Sequence, residues 1–122
     1  MFNIVVDKTY AVVQVRLGGM LSAPEVGAYI TELKNKLRTS HLREYRLIVD
    51  ASECPIQHQD VIMLFAQHMG SMPKAQAIAI ITGSSLIKMQ VKRIFTQPYA
   101  RIVASAAEAR AWALSGTEPG SA

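Results

Sequence analysis

The sequence predicts a single small α/β domain with a mixed, mostly parallel sheet and helices packed on it. Short apolar runs that suit buried strands alternate with segments whose apolar residues recur every three or four positions, as in amphipathic helices. The predicted order of elements is ββαβαβαβα, and strands that alternate with helices pair in parallel through right-handed crossovers. The chain has 122 residues, half of them hydrophobic, which suffices for one core. We expect the domain to span residues 1–114.

A hairpin is predicted at the start of the chain. Phe2–Asp7 is apolar and rich in β-branched residues, and the following Asp7-Lys8-Thr9 suits a turn. Residues 10–17 then alternate between apolar and polar side chains, as in a half-exposed strand near a sheet edge. The hairpin makes the predicted sheet mixed. Its outer strand offers a contact for a second copy, so a homodimer is one expected state.

Three of the four predicted helices begin at recognisable capping residues. Ser22-Ala-Pro-Glu25 combines an N-cap serine, a capping-box glutamate and a proline in the first turn. Gly83-Ser-Ser85 opens the third helix, and Ser105-Ala-Ala-Glu108 repeats the capping-box pattern for the fourth. The second helix is expected at about residues 58–69, where Gly70-Ser-Met-Pro73 ends it.

Three further strands separate these helices. Tyr45–Asp50 and Ala75–Thr82 are short apolar runs, and the second is almost wholly apolar, which predicts a central strand. Tyr99–Ala104 is a shorter run of the same kind. The tail from Ser115 to Ala122 is small, polar and contains Gly and Pro, so we expect residues 115–122 to be disordered.

The charge and the cysteine content indicate which kinds of partner and which cellular compartment to expect. Thirteen Lys and Arg against nine Asp and Glu give a net charge of +4, too mild to indicate nucleic acid or membrane by itself. Lys88, Lys92 and Arg93 form a basic helix face without interleaved aromatic residues, so we expect no nucleic-acid partner. No apolar run is long enough for a transmembrane segment. Cys54 is the single cysteine, and with no signal-peptide pattern at the start this predicts a cytoplasmic protein.

Polar residues cluster after two neighbouring strands. Asp50 ends the third strand, and further polar residues follow it before or at the start of a helix. Because ligands and partners gather at the carboxyl ends of parallel strands, we expect these side chains in one corner, together with the loop after the next strand. The predicted partner- or ligand-binding residues are Asp50, Ser52, His58, Gln59, Asp60, Gly83 and Ser84. No group of Cys, His, Asp and Glu has the spacing of a zinc or iron site, so we expect no metal and no other cofactor.

Each candidate also has an ordinary structural interpretation. Asp50 could serve as an acid, a base or a ligand for a polar group, or it could hydrogen-bond its own loop, and the sequence leaves both open. Cys54 lies four residues before His58, and such a pair can make a reactive thiolate. Free cysteines are usually small buried hydrophobes, however, which is the interpretation we favour. The amides of Thr82-Gly-Ser-Ser85 could hold an anion, but capping of the helix by its serines is favoured.

Three segments carry a family resemblance. They are Gly18-Gly-Met-Leu21 before the first helix, Leu47-Ile-Val-Asp50 before the polar loop, and Ala106–Leu114 in the closing helix. Together with the order of elements, they make residues 2–114 resemble the STAS/SpoIIAA-like family of anti-sigma factor antagonists. The resemblance implies a SpoIIAA-like fold in a bacterial regulatory domain that has a protein partner.

One motif of that family is missing. In phosphorylated members, an Asp-Ser-Ser-Gly tetrad opens the helix after this strand, and its second serine takes the phosphate. Aligned without gaps, the tetrad falls on His58-Gln-Asp-Val61, which contains no serine. The resemblance therefore implies a non-catalytic interaction module that lacks the phosphorylatable serine. Asp60 holds the acceptor position, where it either replaces the switch or, as we favour, caps the helix.

Two other functions compete with this one. The high apolar content and the methionines at positions 63, 69, 72 and 89 suit a small-molecule or lipid-binding domain of the same fold, although methionines more often fill cores. A small enzyme using Asp50, Cys54 or His58 is least favoured, because no set of nucleophile, base and orienting group is visible. We expect a protein without enzymatic activity, with a protein partner first and a small apolar ligand as the alternative.

Overall fold

Five strands form one sheet in the order β1-β2-β3-β4-β5. The computed structural model describes residues 1–120. Strand β1 (Phe2–Asp7) runs antiparallel to β2 (Val12–Gly18), and the sheet continues in parallel through β3 (Arg46–Glu53), β4 (Ala77–Ile81) and β5 (Ala100–Val103). The predicted α/β domain, with its mixed, mostly parallel sheet and the order ββαβαβαβα, is confirmed.

Helices cover the two faces of the sheet unequally. Helices α1 (Ala23–Thr39), α2 (Gln59–Gly70) and α3 (Ser85–Ile94) pack on one face, over the larger core. Helix α4 (Ala106–Ser115) packs alone on the other face. The smaller core beneath α4 consists of Val12, Ile48, Ala79, Ile81, Val103, Ala109 and Ala113.

Alternation along each strand assigns its side chains to one face or the other. In β3, Leu47 and Val49 belong to the larger core, whereas Ile48 belongs to the smaller one. Asp50 and Ser52 follow Ile48 at even spacing and therefore lie on the face of α4. Strand β4 is buried on both faces along its whole length, as expected for a central strand.

Local sequence signals set the starts of the helices. Ser22 Oγ accepts a hydrogen bond from Glu25 N, and Glu25 Oε1 accepts one from Ser22 N, which completes the predicted capping box. The hydroxyls of Ser84 and Ser105 cap α3 and α4 by accepting backbone N–H groups in the same way. Helix α2 begins and ends one residue later than expected. Capping side chains satisfy backbone donors that a helix leaves unpaired, so these positions are determined locally.

The segment after α4 folds back on the domain. Gly116 ends the helix with a left-handed φ of 67°, which glycine adopts without steric cost. Glu118 then pairs with Arg101 of β5, with 2.8 Å between Oε2 and Nε. The disorder expected for residues 115–122 stays a prediction, and residues 121–122 lie outside the described part of the chain.

Candidate functional site

Gln57 ties two loops together at the carboxyl ends of the parallel strands. Its side-chain oxygen accepts a hydrogen bond from Leu21 N at 2.8 Å, and its Nε2 donates to Gly19 O at 3.0 Å. The same nitrogen donates to Pro55 O at 2.9 Å within its own loop. One amide therefore fixes the loop after β2 against the loop after β3.

A second amide, that of Gln90 in α3, holds the same loop from the other side. Gln90 Oε1 accepts from Gln57 N at 2.9 Å, and Gln90 Nε2 donates to Gln57 O at 2.8 Å. Both backbone groups of Gln57 are thus satisfied by one side chain, as they would be by a neighbouring strand. We call Gln57 and Gln90 the glutamine pair.

Exposed apolar side chains lie on the three segments that the glutamine pair joins. Ile56 and Met89 each directly precede one of its members. Met20 lies between the two loop residues that hydrogen-bond to Gln57, and Leu86 lies on the face of α3 one turn before Met89. Their exposed fractions are 46% for Met20, 50% for Ile56, 58% for Leu86 and 60% for Met89. Side chains of this size usually lie mostly inside a folded domain.

The seam between α2 and α3 extends this surface. Arg93 of α3 donates to Gln59 Oε1 of α2 at 3.1 Å. Met63 follows Gln59 by four residues and Met89 precedes Arg93 by four, so both methionines lie next to this hydrogen bond. Met63 is itself 64% exposed. We call the five exposed residues the apolar rim: Met20, Ile56, Met63, Leu86 and Met89.

The start of α2 presents polar side chains beside the apolar rim. His58 occupies the N-cap position, but its side chain makes no capping hydrogen bond. Asp60 lies in the first turn, where the helix dipole favours a carboxylate. The expectation that Asp60 caps the helix is therefore wrong, because His58 occupies the N-cap position. The side chains of residues 58–60 are all exposed and accessible to a partner.

The start of α3 confirms the favoured interpretation of Thr82-Gly-Ser-Ser85 as a helix cap. Ser84 Oγ accepts from Ile87 N at 3.3 Å, and buried Thr82 Oγ1 accepts from Ser84 N at 3.3 Å. Gly83 is exposed between them. Gly83 and Ser84 thus share the carboxyl edge of the sheet with residues 58–60, while the hydroxyl of Ser84 is engaged in the cap.

Asp50 and Ser52 lie on the opposite face of the sheet. Asp50 Oδ1 accepts hydrogen bonds from Ser52 N at 3.0 Å and from Ser52 Oγ at 2.6 Å. Asp50 therefore hydrogen-bonds locally, as the sequence left open, but within the last residues of β3 and not within a loop. The single corner expected from the sequence is therefore divided, because strand alternation places Asp50 with Ile48 and away from residues 58–60.

A groove of about 300 Å³ lies beside α4 on the face of Asp50. Two arginines at this groove already have neighbours. Arg16 Nη2 lies 2.8 Å from Glu53 Oε1, and the Arg110 guanidinium lies 5.8 Å from the centre of the Tyr10 ring. The polar lining of the groove comes from Asn3, Gln14, Arg16, Asp50 and Arg110.

Cys54 begins the loop that carries Ile56, and it is half-buried there. It lines a cavity of about 40 Å³ between the sheet, α2 and α3. Burial raises the pKa of the Cys54 thiol, the amino terminus opposes this, and the carboxylates of Asp50 and Glu53 add to the rise. A raised pKa keeps the thiol protonated near neutral pH and disfavours a thiolate nucleophile. The interpretation of Cys54 as a small hydrophobe is supported by its contact with the larger core.

The methionines divide between core and surface. Met69 is buried and Met72 packs against the larger core, so the expected role as core filler is confirmed for both. The same expectation is wrong for Met63 and Met89, which are exposed. A signal for this exists in the sequence. Met89 falls outside the apolar stripe of α3, whose buried members are Ile87, Val91 and Ile94.

Gln57 has no comparable signal in the sequence. The residues to which it hydrogen-bonds in the loop after β2 and in α3 lie 33 to 38 positions away along the chain. Nothing local distinguishes it from the other amides of its loop, because its importance depends on the loops that the fold brings to it.

Comparisons with known proteins add no family to these observations. The chain matches no family model, and no curated protein matches it. Within residues 1–120, no helix is both long and apolar enough to span a membrane. In the same part of the chain, no group of three or more His, Cys, Asp or Glu side chains could hold a metal ion. The resemblance to the STAS/SpoIIAA-like family stays a prediction from the sequence.

Proposed function

We propose that this domain is a non-catalytic protein-interaction module, of the kind represented by anti-sigma factor antagonists but without their phosphorylatable serine. The observation that carries the proposal is the apolar rim, whose five members are each 46–64% exposed. An apolar patch bordered by polar residues is typical of a protein contact, because a partner that covers it removes apolar surface from water.

The glutamine pair supports this function by fixing the rim in advance. Four hydrogen bonds of 2.8 to 3.0 Å hold the loop of Ile56 to the loop of Met20 and to α3. A surface that is ordered before binding loses less conformational entropy when a partner arrives. We therefore expect Gln57→Ala to weaken partner binding although Gln57 lies behind the contact surface.

The charges beside the rim indicate the chemistry of the partner. Lys88 and Lys92 are exposed on α3, next to Leu86 and Met89. Within residues 1–120, neither lysine forms an ion pair. Complementary charges steer association and fix its orientation, so we expect a partner that places acidic side chains around an apolar contact. Its association rate should fall as the salt concentration rises.

Asp60 bears on how the interaction is regulated. It lies at the position where phosphorylated members of the STAS/SpoIIAA-like family accept phosphate, and its carboxylate is exposed in the first turn of α2. An aspartate cannot accept a phosphoryl group from a Ser/Thr kinase. We therefore propose that binding at the rim proceeds without a phosphorylation cycle at this helix start.

The alternative of a small apolar ligand is less well supported. The cavity at Cys54 measures about 40 Å³, whereas an apolar cavity known to bind benzene measures about 150 Å³. A lipid chain would require α2 and α3 to move apart. An enzymatic role has little support, because Asp50 and His58 lie on opposite faces of the sheet and the Cys54 thiol has a raised pKa.

The experiment compares Leu86→Glu with Tyr10→Glu. Leu86 is 58% exposed in the rim, and Tyr10 is 53% exposed in the turn at the other end of β2, so the second variant is a matched control. Wild-type protein immobilised in a native lysate should retain a stoichiometric protein partner, identified by mass spectrometry. Tyr10→Glu should retain it as well. The amount of partner retained by Leu86→Glu should be at least about tenfold lower, because the burial of one leucine side chain is lost.

Two results would contradict the proposal. The first is equal retention of the partner by the wild type and Leu86→Glu, which would move the contact away from the rim. The second is a small-molecule mass increment on the isolated wild-type domain in native mass spectrometry without any protein partner, which would favour the ligand alternative.

A further inference from the structure

The outer edge of β1 presents unpaired backbone groups. Met1 and Gly18 exchange both of their backbone hydrogen bonds at 2.9 Å. Because antiparallel pairs alternate between bonded and non-bonded, Asn3 and Val5 also direct their backbone groups toward β2. In the described chain, β2 is the one strand neighbour of β1. The backbone groups that point outward therefore belong to Phe2, Ile4 and Val6.

Strand β1 lacks the features that natural proteins use to block an edge strand. Its six residues contain no proline and no lysine, and its pairing with β2 is unbroken by a bulge. Asp7 is its one charged residue. Asp7 Oδ1 accepts hydrogen bonds from Thr9 N at 3.0 Å and Tyr10 N at 3.4 Å, so the carboxylate is turned into the hairpin. The edge is left uncharged along Phe2–Val6.

We infer that β1 pairs with β1 of a second copy of this chain, antiparallel and across a two-fold axis at Ile4, so that one sheet runs through both copies. In this register Ile4 faces Ile4 of the partner subunit, and Phe2 faces Val6 of the partner subunit. Every outward backbone group of the strand then has a partner. A register displaced by two residues leaves part of the edge unpaired.

Charge and side-chain placement favour a second copy as the occupant of this edge. The two-fold register keeps the two Asp7 carboxylates at opposite ends of the paired strands, so no like charges face each other. On the face of α4, Asn3 lies opposite Val5 of the partner subunit. Val5 is 54% exposed in one copy, and the pairing covers it. The side chains of Phe2, Ile4 and Val6 continue the larger core across the axis.

The expected affinity depends on the size of the contact. Pairing of one six-residue strand is a small interface compared with the roughly 1,600 Å² of a standard one. We therefore expect a dissociation constant between about 1 μM and about 1 mM. The dimer should form at high protein concentration and dissociate on dilution.

Two double variants test the register by sedimentation equilibrium over that concentration range. Asn3→Lys with Val5→Lys sets like charges directly opposite each other across the two-fold axis. Asn3→Lys with Val5→Glu sets opposite charges in the same two places. Both positions are exposed and both double variants share the change at Asn3, so they differ only at Val5. We expect the first to raise the dissociation constant at least about tenfold and the second to keep it near the wild-type value.

Leu86→Glu separates this dimer from binding at the apolar rim, because it should leave the dissociation constant unchanged. A wild-type protein that stays monomeric at about 1 mM overturns the inference. So does an equal effect of the two double variants, or loss of the dimer in Leu86→Glu, which would assign self-association to the rim.

Discussion

Strands β1 and β5 both lie at the outside of the sheet, each with one strand neighbour. Tyr99 O, just before β5, accepts a hydrogen bond from Ile78 N, and Val103 O in β5 accepts one from Thr82 N. Because alternate carbonyls of a parallel strand face its neighbour, the carbonyl of Ala100 faces outward. Arg101 Nη1 donates to Ala100 O at 3.0 Å and to Pro98 O at 2.7 Å. A side chain thus occupies one outer acceptor of β5 and one carbonyl just before the strand, whereas no side chain among residues 1–120 does this for β1.

The difference arises from the segment that succeeds each strand in the chain. The Arg101 guanidinium lies 4.3 Å from the centre of the Trp112 ring of α4. Its Nε and Nη2 donate to the two carboxylate oxygens of Glu118 at 2.8 and 2.9 Å. The helix and tail that come directly after β5 thus hold Arg101 over the start of its outer edge, which we call the closed edge. The hairpin after β1 leads into β2 and leaves the outer edge open.

The largest loss of stability is expected when the contact between β1 and the core is weakened. The Phe2 ring packs edge-on against Tyr29, with centroids 5.9 Å apart and an interplanar angle of 67°. We expect Phe2→Ala to lower the free energy of unfolding by about 2–3 kcal/mol, measured by urea denaturation, because it removes a partly buried ring and an aromatic pair. Val5→Ala, on the exposed face of the same strand, should cost less than about 0.5 kcal/mol. Equal costs would mean that Phe2 does not anchor the strand.

A smaller effect is expected when the closed edge is opened. Arg101→Ala removes the stacking on Trp112 and the hydrogen bonds to two carbonyls, and it should cost about 1–2 kcal/mol in the same measurement. Arg101→Lys keeps the charge but not the planar fork, so it should recover only part of this loss. Full recovery by lysine would show that charge alone closes the edge of β5.

Removal of the Tyr29 hydroxyl, close to the open edge of β1, is expected to raise the stability of the domain. Its hydroxyl is buried and has no hydrogen-bond partner among residues 1–120. Burial raises the pKa of Tyr29, as expected for a phenol without polar contacts. We expect Tyr29→Phe to raise the free energy of unfolding by about 1 kcal/mol, because it removes an unsatisfied buried group and keeps the ring against Phe2. A loss of stability would indicate a partner for the hydroxyl, such as an ordered water.

The smallest effect concerns pH at the closed edge. The hydrogen bond from Arg101 lowers the pKa of Glu118, and the charge of Arg101 adds to this. A carboxyl whose pKa is lowered by folding stabilises the fold above its ordinary pKa of about 4.3 and loses that contribution as the pH falls through the lower folded value. The melting temperature of Glu118→Gln should therefore lie slightly below that of the wild type at pH 7 and equal it at about pH 2. A difference that persists in acid would exclude the ion pair as its cause.

The parts of the fold that could be predicted are those encoded by neighbouring residues. The hairpin, the alternation of β2 and the capping serines of α1, α3 and α4 depend on residues a few positions apart. The face on which Asp50 lies could not be predicted in this way. Leu47, Ile48 and Val49 are all apolar because helices cover both faces of β3, so the strand shows no alternation from which to count.

The candidate site was predictable only in its location at the carboxyl edge. Gln57 and Arg101 act through partners supplied by distant segments, and a basic or polar residue in the sequence carries no mark of such a role. The expectation of a solvated basic face fits Lys88 and Lys92, which are exposed, but Arg93 is held by Gln59. The exposed methionines were detectable from helical periodicity, since Met89 lies off the buried stripe of its helix.

The single helix on the second face of the sheet has a consequence for synthesis of the protein. Ile48, Ala79 and Ile81 need α4 to cover them, yet α4 follows all three of these residues in the chain and is translated after them. At about 5–20 residues per second, the ribosome completes α4 a few seconds after β4. A folding intermediate in which α4 has not yet packed therefore exposes this apolar sheet face to water.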